Sequence, residues 1–193
     1  MYYLGVDLGG TNIKAALVSE NGEIVKEAAT PTNLPRMAQE VCDDIAALCL
    51  QLGAGEPVAG IGVGCPGTVC DGVVLYSNNL DWHDFAMADY LQAKTGLPVC
   101  LGNDANVAAL GEALAGCAKG AESAVILTLG TGVGAGVVLG GKLLTGYTGA
   151  ASEAGHMVIA DTPDAPLCTC GRRGCLESLA SATALIRMTC AAR

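Results

Sequence analysis

Short apolar runs separated by tight turns dominate the beginning of the chain. Residues 2–8 form one such run, and after a Gly-Gly-Thr turn residues 13–18 form a second. The dipeptide Asn21-Gly22 is typical of a two-residue hairpin, so residues 23–28 are predicted to return as a third strand. Residues 36–52 then carry apolar side chains at helical spacing. The pattern predicts an antiparallel three-stranded meander followed by an amphipathic helix.

The middle of the chain is predicted to alternate between strands and helices. Residues 58–63 have the composition of a buried strand, and residues 84–95 have a helical pattern. A short strand over residues 98–102 runs into the polar dipeptide Asn103-Asp104, and the alanine-rich residues 105–118 are predicted to form the next helix. This alternation is typical of the α/β class.

The opening pattern returns late in the chain. Residues 124–144 repeat the order strand, Gly/Thr turn, strand, tight turn, strand that residues 2–26 establish. An internal repeat of this kind predicts two similar domains facing each other around a cleft, with limits at residues 1–118 and 119–193. A chance recurrence of short strands and glycine turns is the alternative interpretation.

The composition of the 193 residues excludes several classes of protein. Hydrophobic residues make up 51% and charged residues 15%, a balance that disfavours disorder. The net charge of −9 and the lack of a Lys/Arg cluster disfavour nucleic-acid binding. The chain has no apolar run of membrane-spanning length and no signal-peptide pattern at its start, so we expect no membrane partner and a cytoplasmic location.

Ten cysteines in a cytoplasmic chain are expected to be mostly reduced. Seven of them lie scattered among apolar neighbours and are predicted to be small core side chains: Cys42, Cys49, Cys65, Cys70, Cys100, Cys117 and Cys190.

Two Gly/Thr turns are candidate phosphate sites. The first contains Gly9, Gly10 and Thr11, and the second contains Thr131 and Gly132. Backbone N–H groups in a glycine-rich turn can approach an anion closely, and a threonine hydroxyl adds a donor. Each glycine taken singly is equally consistent with an ordinary hairpin.

Two side chains beside the first turn fit the same interpretation. Asp7 is placed to hold Mg²⁺ directly or through water, and Lys14 adds positive charge. Two other nucleotide motifs do not fit. The P-loop pattern is absent, and the G-x-G-x-x-A match at residues 130–135 is followed by a predicted strand where a dinucleotide site needs a helix.

A histidine and three cysteines late in the chain have metal-ligand spacing. His156 is followed by Cys168, Cys170 and Cys175, a Cys₃His set typical of a structural, tetrahedral zinc site. Gly171 and Gly174 would permit the tight turns that such close ligands need, whereas a redox or disulfide role is disfavoured by the odd number of cysteines. We expect a zinc knuckle over residues 156–175 that orients the polar groups beside it, Glu153 and Glu177.

Six motifs follow one another along most of the chain: Asp7-Leu8-Gly9-Gly10-Thr11-Asn12-Ile13-Lys14, Pro66-Gly67 with Asn79-Leu80, Gly102-Asn103-Asp104-Ala105-Asn106, Leu129-Gly130-Thr131-Gly132-Val133-Gly134, Glu153-Ala154-Gly155-His156, and Cys168-Thr169-Cys170-Gly171-Arg172-Arg173-Gly174-Cys175-Leu176-Glu177. Together they resemble the ROK (repressor, ORF, kinase) family, and within it the bacterial glucokinase-like members. The last two motifs are highly specific, and the Gly/Thr turns are shared with the wider actin-like ATPase class.

The resemblance implies an actin-like (ribonuclease H-like) α/β ATPase fold of two similar domains. It also implies a kinase that transfers a phosphoryl group from ATP to a hexose in carbohydrate metabolism. The first candidate reaction is the conversion of glucose to glucose 6-phosphate in glycolysis. The resemblance further implies Asp104 as the general base, Mg²⁺ and ATP phosphates at the Gly/Thr turns, and a homodimer. It also implies a sugar site made by Gly67, Asn79, Asn103, Asp104, Glu153, His156 and Glu177. Without the resemblance, the N-cap of the helix after it is a good alternative role for Asp104.

Kinases of the family continue well beyond the zinc knuckle, so the second domain of this chain is expected to be incomplete and its nucleotide binding weak. A non-catalytic sugar-binding form and a kinase for an N-acetylhexosamine are therefore alternatives. A repressor of the same family is disfavoured, because Asp7 leaves no room for a preceding DNA-binding segment.

Overall fold

The computed structural model of the protein describes residues 1–147 and 149–192. It divides into two compact units, which we call the first unit (Met1–Val107) and the second unit (from Ala108 onwards). The division lies earlier than the domain boundary predicted between residues 118 and 119. Because it describes contacts in this chain and not the limits of a domain in the family, the predicted boundary stays a prediction.

The elements through the start of the second unit follow the predicted alternation of strands and helices. They are β1 (Tyr2–Leu8), β2 (Asn12–Ser19), β3 (Ile24–Pro31), α1 (Ala38–Gly53), β4 (Val58–Cys65), β5 (Thr68–Cys70), β6 (Val73–Ser77), β7 (Trp82–Phe85), α2 (Met87–Thr95), β8 (Val99–Asn103) and α3 (Asp104–Leu114).

A five-stranded sheet with the order β3-β2-β1-β4-β8 forms the frame of the first unit. The meander β1–β3 is antiparallel, and β4 and β8 add in parallel. Alternate residues of β1 (Leu4, Val6 and Leu8) are buried, and they join the apolar faces of α1 and α2 in one core. The polar ends of β1 and β8 carry Asp7 and Asn103, so the sheet brings two predicted functional segments to one edge.

A second, three-stranded sheet (β5-β6-β7) was missing from the sequence-based prediction. It takes up residues 82–85, which shortens the helix predicted over 84–95 to Met87–Thr95. The helix predicted over 105–118 also ends earlier, at Leu114. The carboxylate of Glu112 accepts a 2.7 Å hydrogen bond from the backbone amide of Cys117, in the turn after the helix.

The second unit contains β9 (Ser123–Leu129), β10 (Val133–Leu139), β11 (Lys142–Leu143), a single 3₁₀ turn (Ala154–His156), α4 (Leu176–Ala180) and α5 (Ala182–Ala191). Its sheet has the order β11-β10-β9, an antiparallel meander like β3-β2-β1. The predicted repeat of strand order is therefore present. One face of β9 is open: Val125, Leu127 and Leu129 are 66%, 49% and 65% exposed.

All ten cysteines are free thiols. Cys42, Cys49 and Cys65 are core residues as predicted. The same prediction is wrong for Cys70, Cys100, Cys117 and Cys190, which are exposed. Among the described residues, no helix has the length and apolar character needed to cross a membrane.

Candidate functional site

The first Gly/Thr turn connects β1 and β2 and is held by the buried residue Thr32. The backbone amide of Thr32 donates to the carbonyl of Thr11 at 2.9 Å, and its hydroxyl donates to the carbonyl of Gly9 at 2.7 Å. The amides of Gly10 and Thr11 have no acceptor within the described part of the chain. The turn therefore has its carbonyls tied back and its N–H groups available, which is the arrangement that an anion needs.

The second Gly/Thr turn, between β9 and β10, is held in the same manner by the start of α5. The amide of Ala182 donates to the carbonyl of Gly130 at 2.9 Å, and the Thr183 hydroxyl donates to the carbonyl of Thr131 at 2.9 Å. The amides of Thr131 and Gly132 have no acceptor in residues 1–147 and 149–192. This turn has the same polarity as the first one.

Asp7 and Lys14 flank the first turn as directly paired residues of β1 and β2. Partial burial raises the pKa of the Asp7 carboxyl, the Lys14 ammonium lowers it, and the negative charge of Asp104 raises it again. The carboxylates of Asp7 and Asp104 therefore repel each other across the edge of the first sheet. A bound cation between or beside them would relieve this repulsion, which fits the predicted magnesium role of Asp7.

Asp104 is the first residue of α3 and is exposed. The alternative role considered for it, the N-cap, belongs to Asn103, whose Oδ1 accepts the amide of Asn106 at 3.1 Å. One oxygen of Asp104 accepts the amide of Ala105 at 2.8 Å. The other carboxylate oxygen has no protein donor among the described residues and is free to accept a proton from a substrate.

Asn103 also connects α3 to the turn after β4, because its Nδ2 donates to the carbonyl of Gly67 at 3.1 Å. Gly67 has a φ of +101°, and a side chain there would collide with the carbonyl of Tyr76. Glycine is therefore required at this position on both counts. Asn79 lies exposed in the turn between β6 and β7, and its side chain has no hydrogen bond to the described residues.

The predicted metal ligands come together in the second unit. The ligand atoms of His156, Cys168, Cys170 and Cys175 all lie within 4.8 Å of one another. The Sγ atoms of Cys170 and Cys175 are 3.7 Å apart, and Nδ1 of His156 lies 3.6 Å from Sγ of Cys168. A tetrahedron with metal–sulfur bonds of about 2.3 Å has sulfur–sulfur edges of about 3.8 Å, whereas a disulfide needs about 2.05 Å. The four side chains fit a closed zinc site.

Two thiols of the cluster differ in how readily they ionise: burial raises the pKa of Cys175 to about 11, whereas the pKa of Cys170 is lowered. Hydrogen bonding from the backbone of Arg172 is the largest influence that lowers the pKa of Cys170 to about 6, so this ligand is ready as a thiolate. Gly171 and Gly174 have φ values of +86° and +70°, which confirms their predicted role in the tight turns. His156 uses Nδ1 toward the cluster, so its Nε2 points away and is available to a second partner.

Glu153 and Glu177 lie on either side of the cluster in sequence, and their surroundings differ. Glu153 is exposed, and its side chain has no hydrogen bond to the described residues. Glu177, in the first turn of α4, accepts the amide of Val133 at 3.1 Å and the hydroxyl of Thr169 at 3.0 Å. Glu177 thus contacts both the metal cluster segment and the strand that leaves the second Gly/Thr turn.

Thr32 and Thr183 were not among the residues predicted from the sequence. Each acts at a distance along the chain, from positions that are 23 and 52 residues away from the carbonyl that each holds. A polar residue at zero exposure, such as Thr32, is recognisable only in the folded protein.

Comparison with known protein families gives one match over nearly the whole chain: the ROK family profile matches residues 3–192. Among curated proteins, the glucokinase of Thermotoga maritima is 45% identical over 187 residues, which cover 95% of this chain and 58% of that protein. The N-acetylmannosamine kinase of Shigella boydii is 40% identical over 187 residues, covering 94% of this chain and 62% of that protein.

A solved structure agrees with these relatives. The ROK family glucokinase of Streptomyces griseus, in complex with glucose and AMPPNP, superposes with a TM-score of 0.86 at 40% identity. The match covers 97% of this chain and 59% of that one. The chain therefore spans somewhat more than half of the length of the relatives that it matches.

Proposed function

The chain belongs to the ROK family and has the actin-like α/β fold of the ROK sugar kinases, and from this premise we propose that the protein transfers the terminal phosphoryl group of ATP to a hexose. Glucose is the first candidate, with glucose 6-phosphate as the product. The observation that carries the proposal is that Asp104 and the first Gly/Thr turn follow the same end of the five-stranded sheet, since Gly64 of β4 pairs with Asp7 on one side and with Gly102 on the other. The charge of Asp104 acts on Asp7, at the edge from which that turn begins.

The turns would bind the phosphates through their unpaired amides: Gly10 and Thr11 in the first unit, Thr131 and Gly132 in the second. Thr32 and the start of α5 hold the turn carbonyls away from the anion. When bound beside Asp7, Mg²⁺ would offset negative charge on the phosphates. Lys14, which pairs with Asp7 across β1 and β2, adds a further positive charge.

Asp104 would act as the general base. Its free carboxylate oxygen accepts the proton of the sugar hydroxyl while the hydroxyl oxygen attacks the phosphoryl group and ADP leaves. Asn103 keeps α3 and the Gly67 turn in place beside Asp104. Candidate sugar ligands are present in both units: Gly67, Asn79 and Asn103 in the first, Glu153, His156 and Glu177 in the second. Their hydroxyl contacts are proposed from the family resemblance.

The metal cluster is proposed to hold structural zinc. Four protein ligands close the coordination shell, so the ion has no open position for a substrate and would act by fixing the segment between His156 and Cys175. His156 would then serve the sugar through Nε2 while Nδ1 binds the metal.

A panel of sugars in a coupled ADP assay tests the proposal. Glucose, mannose, fructose, allose, N-acetylglucosamine and N-acetylmannosamine are compared at equal concentration, with ATP and Mg²⁺. Phosphorylation of glucose with the highest kcat/KM supports the first candidate. A preference for N-acetylmannosamine would favour the second, which the kinase of Shigella boydii motivates.

Calorimetry on the 193-residue chain separates catalysis from binding. Glucose binding without ADP production would favour the non-catalytic alternative. Titration with AMPPNP tests the expectation that this chain binds nucleotide weakly, and micromolar binding would contradict it.

A further inference from the structure

We propose that Glu177 is a positioning residue that links metal occupancy of the Cys/His cluster to the geometry of the second Gly/Thr turn. The inference concerns the second unit alone. Its consequence for nucleotide binding rests on the proposed function, but the link itself does not.

The two carboxylate oxygens of Glu177 contact different segments, one the start of β10 and the other the loop that carries the cysteines. Oε2 accepts the amide of Val133, the first residue of β10, at 3.1 Å. Oε1 accepts the hydroxyl of Thr169 at 3.0 Å and lies 3.7 Å from Sγ of Cys168. Thr169 stands between two metal ligands in the sequence, so one carboxylate connects the ligand loop to the strand that leaves the turn.

Gly132 lies against this carboxylate. Its φ lies outside the left-handed region, so the backbone alone does not require glycine there. A methyl group at Gly132, however, would collide with Oε2 of Glu177. At the neighbouring Gly130 a methyl group would meet nothing within 4 Å. A side chain at Gly132, but not at Gly130, would therefore displace the Glu177 carboxylate from its present position.

The remaining contacts of the turn come from the chain just after the last metal ligand. Cys175 is the N-cap of α4, and Ser178 in that helix donates to its carbonyl at 2.8 Å. Ser181 follows as the N-cap of α5. The start of α5 then donates to the carbonyls of Gly130 and Thr131. The hydrogen bonds to the carbonyls of Gly130 and Thr131, as well as that from Val133, therefore depend on a segment anchored at Cys175, whereas the carbonyl of Gly132 is held within the turn by the amide of Gly130.

Loss of the metal would release Cys168, Cys170 and Cys175 from one another, and the Thr169 hydroxyl would lose its fixed position. Glu177 would then hold Val133 with a mobile carboxylate. The unpaired amides of Thr131 and Gly132 would no longer be held in the geometry that suits a phosphate.

Amide hydrogen exchange at Val133, measured by NMR on the 193-residue chain, tests the link without any substrate. We expect Glu177→Ala to speed exchange at Val133 at least about tenfold while the chain keeps its zinc, because a charge-assisted hydrogen bond is lost. Removal of zinc with a chelator should speed the same amide. Glu112→Ala is the matched control: it removes another carboxylate that accepts a backbone amide, that of Cys117, and should leave Val133 unchanged.

A second pair of variants covers the case in which Glu177→Ala does not fold. Gly132→Ala should displace the carboxylate and speed exchange at Val133, whereas Gly130→Ala should not. Equal exchange at Val133 in parent and Glu177→Ala, or in zinc-loaded and chelated protein, would overturn the inference.

The kinetic consequence is an effect of Glu177 on ATP that Glu153 does not share. If the protein phosphorylates a sugar, Glu177→Gln should raise the KM for ATP several-fold in addition to that for the sugar, because Glu177 is also a candidate sugar ligand, whereas Glu153→Gln should raise the KM for the sugar alone. Absence of phosphorylation with every sugar would count against the proposed function and leave the Val133 result standing. Normal phosphorylation together with fast amide exchange at Val133 in the parent would support the proposed function and overturn the link through Glu177.

Discussion

Asn103 caps α3 and leaves its neighbour Asp104 free. The Oδ1 atom of Asn103 lies 3.1 Å from the backbone nitrogen of Asn106, the position that an N-cap side chain serves. Its Nδ2 atom reaches the carbonyl of Gly67 at 3.1 Å. The side chain of Asn103 therefore fixes both the start of the helix and the turn beside it. The neighbouring carboxylate of Asp104 is not needed as the cap and keeps one oxygen without a protein donor among the described residues.

Asn103→Ala is expected to lower the free energy of unfolding by about 1–2 kcal/mol, since it removes a cap and leaves the Gly67 carbonyl without its donor. Asn103→Ser retains a capping oxygen and loses the Gly67 contact, so it should cost less. Urea denaturation of the three proteins measures the difference. Equal losses for the two variants would mean that the cap contributes little.

Asp104→Asn is expected to reduce kcat by about 10²–10⁴-fold while sugar binding persists, because an amide can keep a hydrogen bond but cannot take the proton. The kcat is measured in a chain as long as the curated relatives, and sugar affinity by calorimetry on both proteins. A variant with the kcat of its parent would refute the role of Asp104.

Asp7→Asn should stabilise the protein more as the pH rises. Partial burial first, and then the charge of Asp104, raise the pKa of Asp7 in the folded state, although Lys14 opposes them. Between the ordinary carboxyl pKa and the raised one, the folded state holds its proton after the unfolded state has lost it, so the parent loses stability as pH rises through this window. The asparagine has no such loss.

The measurement is the free energy of unfolding of both proteins, by urea, at several pH values from about 3.5 upwards. The difference, variant minus parent, should grow through the window and then level off. A difference that shrinks with pH would show that the Asp7 pKa is lowered on folding.

Purified protein is expected to carry one zinc ion per chain. Cys170→Ser should lower both the metal content and the melting temperature, because the binding free energy of a structural zinc is part of the folding free energy. Cys190→Ser, at an exposed position in α5, should change neither. A well-folded chain with four free ligands and no metal would disprove the zinc assignment.

The open face of β9 is expected to cause self-association. Val125 and Leu129 are about two-thirds exposed at 66% and 65%, on an edge strand of its sheet. Replacing Val125 and Leu127 by threonine keeps β-forming residues while removing apolar surface. Sedimentation velocity should show the parent associating at concentrations where the double variant is monomeric, and identical sedimentation would exclude this face.

The two meanders could be predicted because their apolar runs are bounded by turn residues of diagnostic type, such as Asn21-Gly22. The β5–β7 sheet could not, since strands of three to five residues are too short to establish a period. Its turns also place Asp71 and Asp81 in the left-handed region, at φ values of 47° and 58°. This conformation is uncommon for aspartate and could not be predicted from the neighbouring residues.

The residues that carry the chemistry of the site were easier to predict from the sequence than the residues that hold them in place. Candidate metal ligands and the carboxylates near strand ends are recognised by residue type and spacing. The alternative role for Asp104 could be decided only in the folded chain, because Asn103 and Asp104 are both good N-caps and adjacent in sequence. The residues that hold the turns, Thr32 and Thr183, depend on tertiary contacts.

The bond between Glu177 and Val133 also has a consequence for the growing polypeptide. Its partners are 44 residues apart, and the donor is synthesised first. At about 5–20 residues per second, a ribosome needs roughly 2–9 s to pass from one to the other. Throughout that interval the β9–β10 hairpin exists without the carboxylate that will hold its turn. The nascent chain can therefore hold its second Gly/Thr turn as in the finished structure only after Glu177, Ala182 and Thr183 have emerged.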